Sequence, residues 1–266
     1  MPITPQHFFK PLNQAEFGQL SYEVFADVIS IRRDLGRFFD EKHYKKALAS
    51  IRPDVLLEAP IPVSHGSFKK CYFLDVVLCL GGVFEFKVIE AFNSRHKAQL
   101  LHYLMLAELW HGMLINVRPE KMQRDFVNHH LRHGDRQQFR LVTSQLQRGL
   151  PGSEQFVQIL TDLLHDCGTS LDLSLYEEGI THFCGGESAL IRPAMVHFNG
   201  QPLGPQKLRF ITEKTAFKLT AFDRELSQKR FATHLQQLVN HADIESMIWA
   251  NVCRNEVTIQ SLIPER

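Results

Sequence analysis

The sequence has no CxxC pair, no apolar run long enough to cross a membrane and almost no net charge, and each absence narrows what the chain can do. Its five cysteines (Cys71, Cys79, Cys167, Cys184, Cys253) are odd in number and scattered, so neither a disulfide framework nor a zinc site is expected. With nothing resembling a signal peptide ahead of them, the reading is a reducing, cytoplasmic setting. The longest apolar stretches, such as 73–84, fall well short of the roughly 20 residues a membrane-spanning helix needs, so no membrane partner is expected. Thirty basic residues against 29 acidic leave a net charge of +1; no overall field draws the chain to nucleic acid, and any such contact must be local. The most basic stretch, 118–140, interleaves Arg124, Arg132, Arg136 and Arg140 with Glu120, Asp125 and Asp135, and reads as a solvated face.

What is present is an ordinary globular composition, 44% hydrophobic over 266 residues, enough for one large or two small domains. Phe17, Leu20, Val24, Phe25, Val28 and Ile31 fall at helical spacing, and a second helix is expected over 42–51. The segment 55–63, broken by Pro60 and Pro62, reads as a strand at a sheet edge. Two β-rich runs, 72–80 and 83–89, flank Gly81-Gly82 and predict a hairpin. A helix over 98–110 and a short buried strand over 112–117 complete the series. From 134 to 152 the sequence turns polar, as a linker or a peripheral strand and loop would.

The chain then repeats itself. Phe17-x-Gln19-Leu20-x-x-Glu23 is matched by Phe156-x-Gln158-Ile159-x-x-Asp162, Tyr44 and Ala47-Leu48 by Tyr176 and Gly179-Ile180, and Pro60-x-x-Val63 by Pro193-x-x-Val196; Asn116-Val117 is answered by Asn251-Val252. The order of these matches is kept across the whole half, which indicates a diverged tandem duplication: domain 1–133, linker 134–152 and a second domain 153–266. A gapless alignment of 74–87 with 208–221 would replace Asp75, Glu85 and Lys87 by Arg209, Leu219 and Ala221, leaving the second copy without their chemistry.

Those three residues form D-x9-E-x-K across the hairpin. Side chains two apart on a strand share a face, so Glu85 and Lys87 are expected to emerge together beside Asp75. Two converging carboxylates offer oxygen ligands to a hard cation such as Mg²⁺ or Mn²⁺, which polarises a phosphoryl oxygen and acidifies a bound water. Lys87 could hold that water or offset charge in the transition state. A surface ion pair is the bland alternative; Phe84, Phe86, Val88 and Ile89 argue against it, because charges on so apolar a strand need each other or a metal. His96 and Gln99, one helical turn apart, would share a face toward the sheet end. Helix capping is the alternative for them. The hairpin register carries a test: a strict two-residue turn would turn Asp75 away, so an odd loop is required, for example Leu80-Gly81-Gly82 with a glycine in the left-handed region and Asp75 opposite Lys87.

At these residues the sequence resembles the PD-(D/E)xK nuclease superfamily and, within it, the GxxExxY family. Leu35-Gly36 followed by Glu41 and Tyr44 has the spacing of that family's naming motif, with Phe38 where its Gly would stand, and His96-x-x-Gln99-Leu100-Leu101-x-Tyr103-Leu104 ahead of Gly112-Met113-Leu114-Ile115-Asn116 is like its second signature. The resemblance covers about 15–118. It implies an αβββαβ restriction-endonuclease-like core with a mixed sheet flanked by helices, and the duplication, in turn, suggests an internal pseudo-dimer of two such units. It implies catalytic Asp75, Glu85 and Lys87 with Gln99 near the phosphate, Glu23 as a supporting metal acid, and His96, Gln99 and Tyr103 as substrate-binding residues. The implied activity is Mg²⁺- or Mn²⁺-dependent phosphodiester hydrolysis on nucleic acid, DNA foremost. A non-catalytic module of the same fold, acting as a homo-oligomer or as a subunit of a larger complex, is the alternative, and the near-zero net charge suits it.

Overall fold

The apolar period at the start of the chain becomes helix α1 (Gln14–Leu35), and both its ends are set by the residues beside it. Asn13 caps the N-terminus, its side chain accepting from Ala15 and Glu16 N–H while Glu16 reaches back to the Asn13 N–H, 2.8 Å. Gly36, with φ of 81°, ends the helix, a backbone angle glycine tolerates without strain. Between the caps Phe17, Leu20, Val24, Val28 and Ile31 are buried on one stripe. The computed structural model describes residues 2–265, and the chain divides after His133 into two compact units.

In the first unit α1 is followed by α2 (Glu41–Ile51), β1 (Leu56–His65), β2 (Phe68–Leu78), β3 (Gly82–Lys87), α3 (Ser94–Ala107), β4 (His111–Asn116) and β5 (Gln123–Asn128). The sheet runs in the order β1-β2-β3-β4-β5. Neighbours are antiparallel except β3 and β4, which lie parallel because α3 carries the chain back between them. One core unites the α1 stripe, Tyr44 and Leu48 of α2 with Val76, Leu78, Phe84, Phe86, Met113 and Ile115 of the strands. Leu100 of α3 closes on Gly112, where an added Cβ would stand 3.1 Å from Leu100 Cδ1.

The second unit repeats the plan. A helical turn α4 (His133–Arg136) and strand β6 (Arg140–Gln145) precede α5 (Ser153–Cys167), α6 (Leu173–Phe183), a short α7 (Glu187–Leu190), β7 (Ile191–Phe198), β8 (Gln201–Phe210), β9 (Thr215–Thr220), α8 (Glu225–His241), β10 (Ser246–Val252) and β11 (Glu256–Leu262). Its sheet order is β6-β11-β10-β9-β8-β7, with the parallel step again between the strands joined by a helix, β9 and β10. The stretch 134–152, expected as a linker or a peripheral strand and loop, supplies β6, which pairs in parallel with β11 at the sheet edge. Each unit is thus a mixed sheet flanked by helices, and the two repeat one order of elements.

Three local devices recur in both units. The Tyr44 hydroxyl donates to Gly36 O at 2.8 Å, locking α2 onto the end of α1, and the Tyr176 hydroxyl donates in the same way to Gly168 O, at the end of α5. Phe17 stacks on Phe84 with centroids 5.8 Å apart, and Phe156 lies on Phe217 at 5.3 Å. Asn116 Oδ1 accepts from Ile89 N and its amide donates to Ile89 O, while Asn251 holds Phe222 in the same two-way fashion.

These devices correct the alignment of the halves. Lys87 pairs with Asn116 and Thr220 with Asn251; Phe84, opposite Val76, corresponds to Phe217, opposite Arg209. The gapless match is therefore one residue out of step, and Asp75, Glu85 and Lys87 correspond to Leu208, Lys218 and Thr220. A one-residue slip exchanges the two faces of a strand, and the Phe156–Phe217 contact fixes which face is the core.

The hairpin loop also differs from expectation. Leu78 pairs with Gly82, so the loop is Cys79-Leu80-Gly81. Its left-handed residues are Cys79 (φ 49°) and Leu80 (φ 57°), not the glycines. Glycine is required at 81 and 82 for room: a Cβ on Gly81 would stand 2.0 Å from Lys10 O and one on Gly82 2.5 Å from Leu20 Cδ2. The loop is still odd, and the shift from the expected register is two residues, which preserves every side chain's face.

Removing the tyrosine clamp tests its weight. Tyr44→Phe leaves Gly36 O without its donor and is expected to cost about 1 to 2 kcal/mol; urea denaturation of wild type and variant measures this, and an unchanged midpoint would show the clamp to be ornamental.

Candidate active site

The ladder between β2 and β3 stops at Val76 and Phe84. Two residues farther on, the Phe86 N–H donates to Asp75 Oδ2 at 3.0 Å, a side chain standing where a strand carbonyl would have continued the sheet. The strands part there, and Asp75, Glu85 and Lys87 gather at the opening. Lys87 Nζ donates to Glu85 Oε1 at 2.7 Å. The Glu85 side chain is 2% exposed and its second oxygen, Oε2, is buried with no hydrogen-bond partner.

Such a carboxylate is held at a cost. Burial, then the negative charge of Asp75, raise the Glu85 pKa from 4.5 to about 7, against the opposing pull of Lys87. Burial works to lower the Lys87 pKa, but the Glu85 carboxylate, with Glu41 and Asp75 behind it, outweighs this and raises it. Lys87 is therefore an ammonium, a donor and positive charge rather than a base.

The structure brings in three residues that were not expected. Glu41, in the first turn of α2, accepts from Val88 N–H at 3.3 Å, and its charge acts on Glu85 and Lys87. Lys45, one turn on, is almost buried and donates from Nζ to Asp75 Oδ1 at 2.8 Å and to Glu58 Oε1. Glu58 lies on β1 with φ of 50°, a left-handed angle that a non-glycine residue holds in mid-strand only when its surroundings enforce it. The spacing of Glu41 and Lys45, one helical turn apart, was the available signal for the first two. Nothing local marks Glu58.

The expected helix residues divide. Gln99 Nε2 donates to the Tyr103 hydroxyl at 3.1 Å, and the Tyr103 pKa is raised first by burial and then by the charges of Glu85 and Asp75, which places this pair beside the carboxylates. His96 Nδ1 instead accepts from Asn93 N–H at 3.0 Å and caps α3. Glu23 is not brought to the cluster: it pairs with Arg52 Nη2 at 3.3 Å and accepts from Gln19 at 2.8 Å, and it is absent from the charges that act on Glu85. Glu41 stands where that acid was expected.

Among the described residues this unit carries at least two clefts. One, about 530 Å³, is lined by Phe38, Phe39, Glu41, Lys42, Lys45 and Arg118 and opens beside the cluster. A second, about 750 Å³, lies among Phe8, Phe9, Trp110 and Arg132; neither cleft is lined by Asp75, Glu85 or Lys87. As the side chains stand, no three His, Cys, Asp or Glu among the described residues are placed to hold a metal ion, and Lys45 and Lys87 contact the carboxylates of Asp75 and Glu85. The donor set nonetheless fits a hard divalent cation: oxygen only, two acids side by side, and one buried carboxylate oxygen lacking any donor.

In the second unit Leu208, Lys218 and Thr220 offer no such set. Thr220 Oγ1 instead accepts from Trp249 Nε1 and donates to Asn251 Oδ1, both at 2.8 Å, within a closed polar network. No helix among the described residues is long and apolar enough to cross a membrane.

None of the curated proteins matches this chain. A solved structure described as the crystal structure of SSO0001 matches over 46% of this chain and 61% of its own length, at 18% identity and a TM-score of 0.29, a likeness too slight to bear on the fold. The family model of the PD-(D/E)XK nuclease superfamily matches residues 18–128, a span that begins within α1 and runs to the end of β5. Through residues 18–128 the first unit is therefore similar to the PD-(D/E)XK nuclease superfamily.

Proposed function

We propose that the first unit is a divalent-metal-dependent nuclease that hydrolyses phosphodiester bonds, with DNA the expected substrate, and that the second is a diverged copy that has lost the chemistry. The observation that carries the reading is Glu85, a carboxylate kept buried next to Asp75 with one oxygen unsatisfied. Such an arrangement destabilises a protein unless a ligand repays it. Asp75 and Glu85 would hold Mg²⁺ or Mn²⁺, with Glu41 at hand in the part expected of Glu23. The ion supplies Lewis acidity toward the phosphoryl group and a more acidic bound water. Lys87, held protonated by Glu85, donates toward charge that develops on the phosphoryl oxygens. Gln99 and Tyr103 border the carboxylates and are assigned to substrate; His96 supports them by capping their helix. Within the superfamily, Glu41 and Tyr44 speak for the GxxExxY family.

Lys87→Ala and Glu85→Ala should each lower plasmid cleavage in Mn²⁺ by at least about 100-fold, with circular dichroism unchanged. Equal rates in wild type and both variants would favour the alternative, a non-catalytic module, which the net charge of +1 also suits.

The raised Glu85 pKa gives a second expectation. Because the folded value, about 7, exceeds the unfolded 4.5, the folded state holds the proton more tightly, and stability falls as pH rises between those values. Without metal, Glu85→Gln should therefore gain in melting temperature over wild type on going from pH 5 to pH 8. A difference that stays flat across that range would show that Glu85 titrates normally.

A further inference from the structure

Lys45 is the least expected residue of the site, since Lys87 already supplies the lysine of the motif. Its ammonium is inside, with 10% of the side chain exposed, and makes two charged contacts, to Glu58 Oε1 and to Asp75 Oδ1 at 2.8 Å. Asp75 Oδ2 is taken by the Phe86 N–H and Glu85 Oε1 by Lys87. Of the four oxygens on Asp75 and Glu85, Glu85 Oε2 alone has no donor. A dication seated on Asp75 would meet the Lys45 ammonium on the same carboxylate, in surroundings too poorly solvated to screen two like charges.

We propose that Lys45 is a tethered cation that occupies the Asp75 carboxylate of the metal-free protein and withdraws when a divalent cation binds, so that it weakens metal binding and sets how much metal the site requires. This rests on the metal-dependent reading of the first unit. Three features support it. Lysine carries its charge as a compact point on a flexible four-carbon stem, so withdrawal needs only side-chain rotation. The way out exists: Lys45 lines the open cleft with Phe38, Phe39, Lys42 and Arg118. Glu58, the other anchor, is mostly exposed and backbone-strained at φ 50°, so its hold on Lys45 is of the weak, solvent-screened kind.

The second unit shows what the contact does when no metal chemistry is at stake. There Leu208 stands in the place of Asp75, and the second helix and second strand are instead joined by a pair of opposite sense one position along, Arg209 Nη2 to Glu177 Oε2 at 3.5 Å. A charge pair at this junction staples helix to strand in both units. Only in the first does the strand side hold the acid that a cation would need.

The test is calorimetric titration of the full chain with Mn²⁺ at pH 8, with thermal unfolding with and without Mn²⁺ as a second readout. Lys45→Met should bind Mn²⁺ at least about 10-fold tighter than wild type, melt lower without metal and gain more on adding it. Glu58→Gln, a change at an exposed side chain, covers the case in which Lys45→Met does not fold: it removes one anchor of Lys45 and should also tighten Mn²⁺ binding. Asp75→Asn should abolish the heat, which ties it to this site. Equal or weaker binding in both variants, with wild type binding, would overturn the role of Lys45 and leave the nuclease reading standing. No Mn²⁺ binding by wild type or either variant would overturn both.

Discussion

The first unit depends on an interrupted ladder. Where β2 and β3 would have continued as a hairpin, the Asp75 carboxylate accepts the Phe86 N–H in place of a strand carbonyl. This satisfies a backbone donor that would otherwise be buried without a partner, and it lets the strands diverge without loss of a hydrogen bond. The divergence opens room for Glu85 and Lys87 to meet Asp75, while Val76, Phe84 and Phe86 remain in the core beneath. The core and the site are thus two faces of the same few residues.

The electrostatics follow from that geometry. Two carboxylates and a third, Glu41, lie close to one another with little water, and two lysines answer them. The arrangement is neutral enough to fold yet leaves one oxygen unmatched. A purely structural cluster would have been free to close that gap, as the corresponding region of the second unit has done with Thr220, Asn251 and Trp249.

Much of this was legible in the sequence because it rests on local pattern. The apolar period of α1, the turn signals of the hairpin and the D-x9-E-x-K spacing needed no partner elsewhere in the chain to be recognised. The paired tyrosines and asparagines revealed the repeat, since each performs the same task in both copies. What escaped depends on distant contacts. Glu58 and Lys45 are brought to Asp75 by the β1–β2 register and the packing of α2, neither of which has a local signature. Glu23, which the resemblance implied as a supporting acid, is engaged instead by Gln19 and by Arg52, the latter a distant contact that no local pattern announces. Gly81-Gly82 marks a hairpin but not its loop, which is Cys79-Leu80-Gly81: the two glycines yield space to Lys10 and Leu20, while Cys79 and Leu80 take the unusual backbone angles.

That last feature reaches beyond the turn itself. Lys10 N–H donates to Leu80 O at 2.9 Å, and Lys10 O lies where a side chain on Gly81 would begin. The segment ahead of α1 therefore walls in the hairpin tip and leaves no room for an inserted residue. An insertion there would reverse which side of the sheet each later β3 residue faces, burying the aromatic rings and the charges on the wrong sides together. The N-terminal segment, far along the strand from the carboxylates, guards the length of the loop against drift, and through it the side of the sheet on which chemistry can evolve.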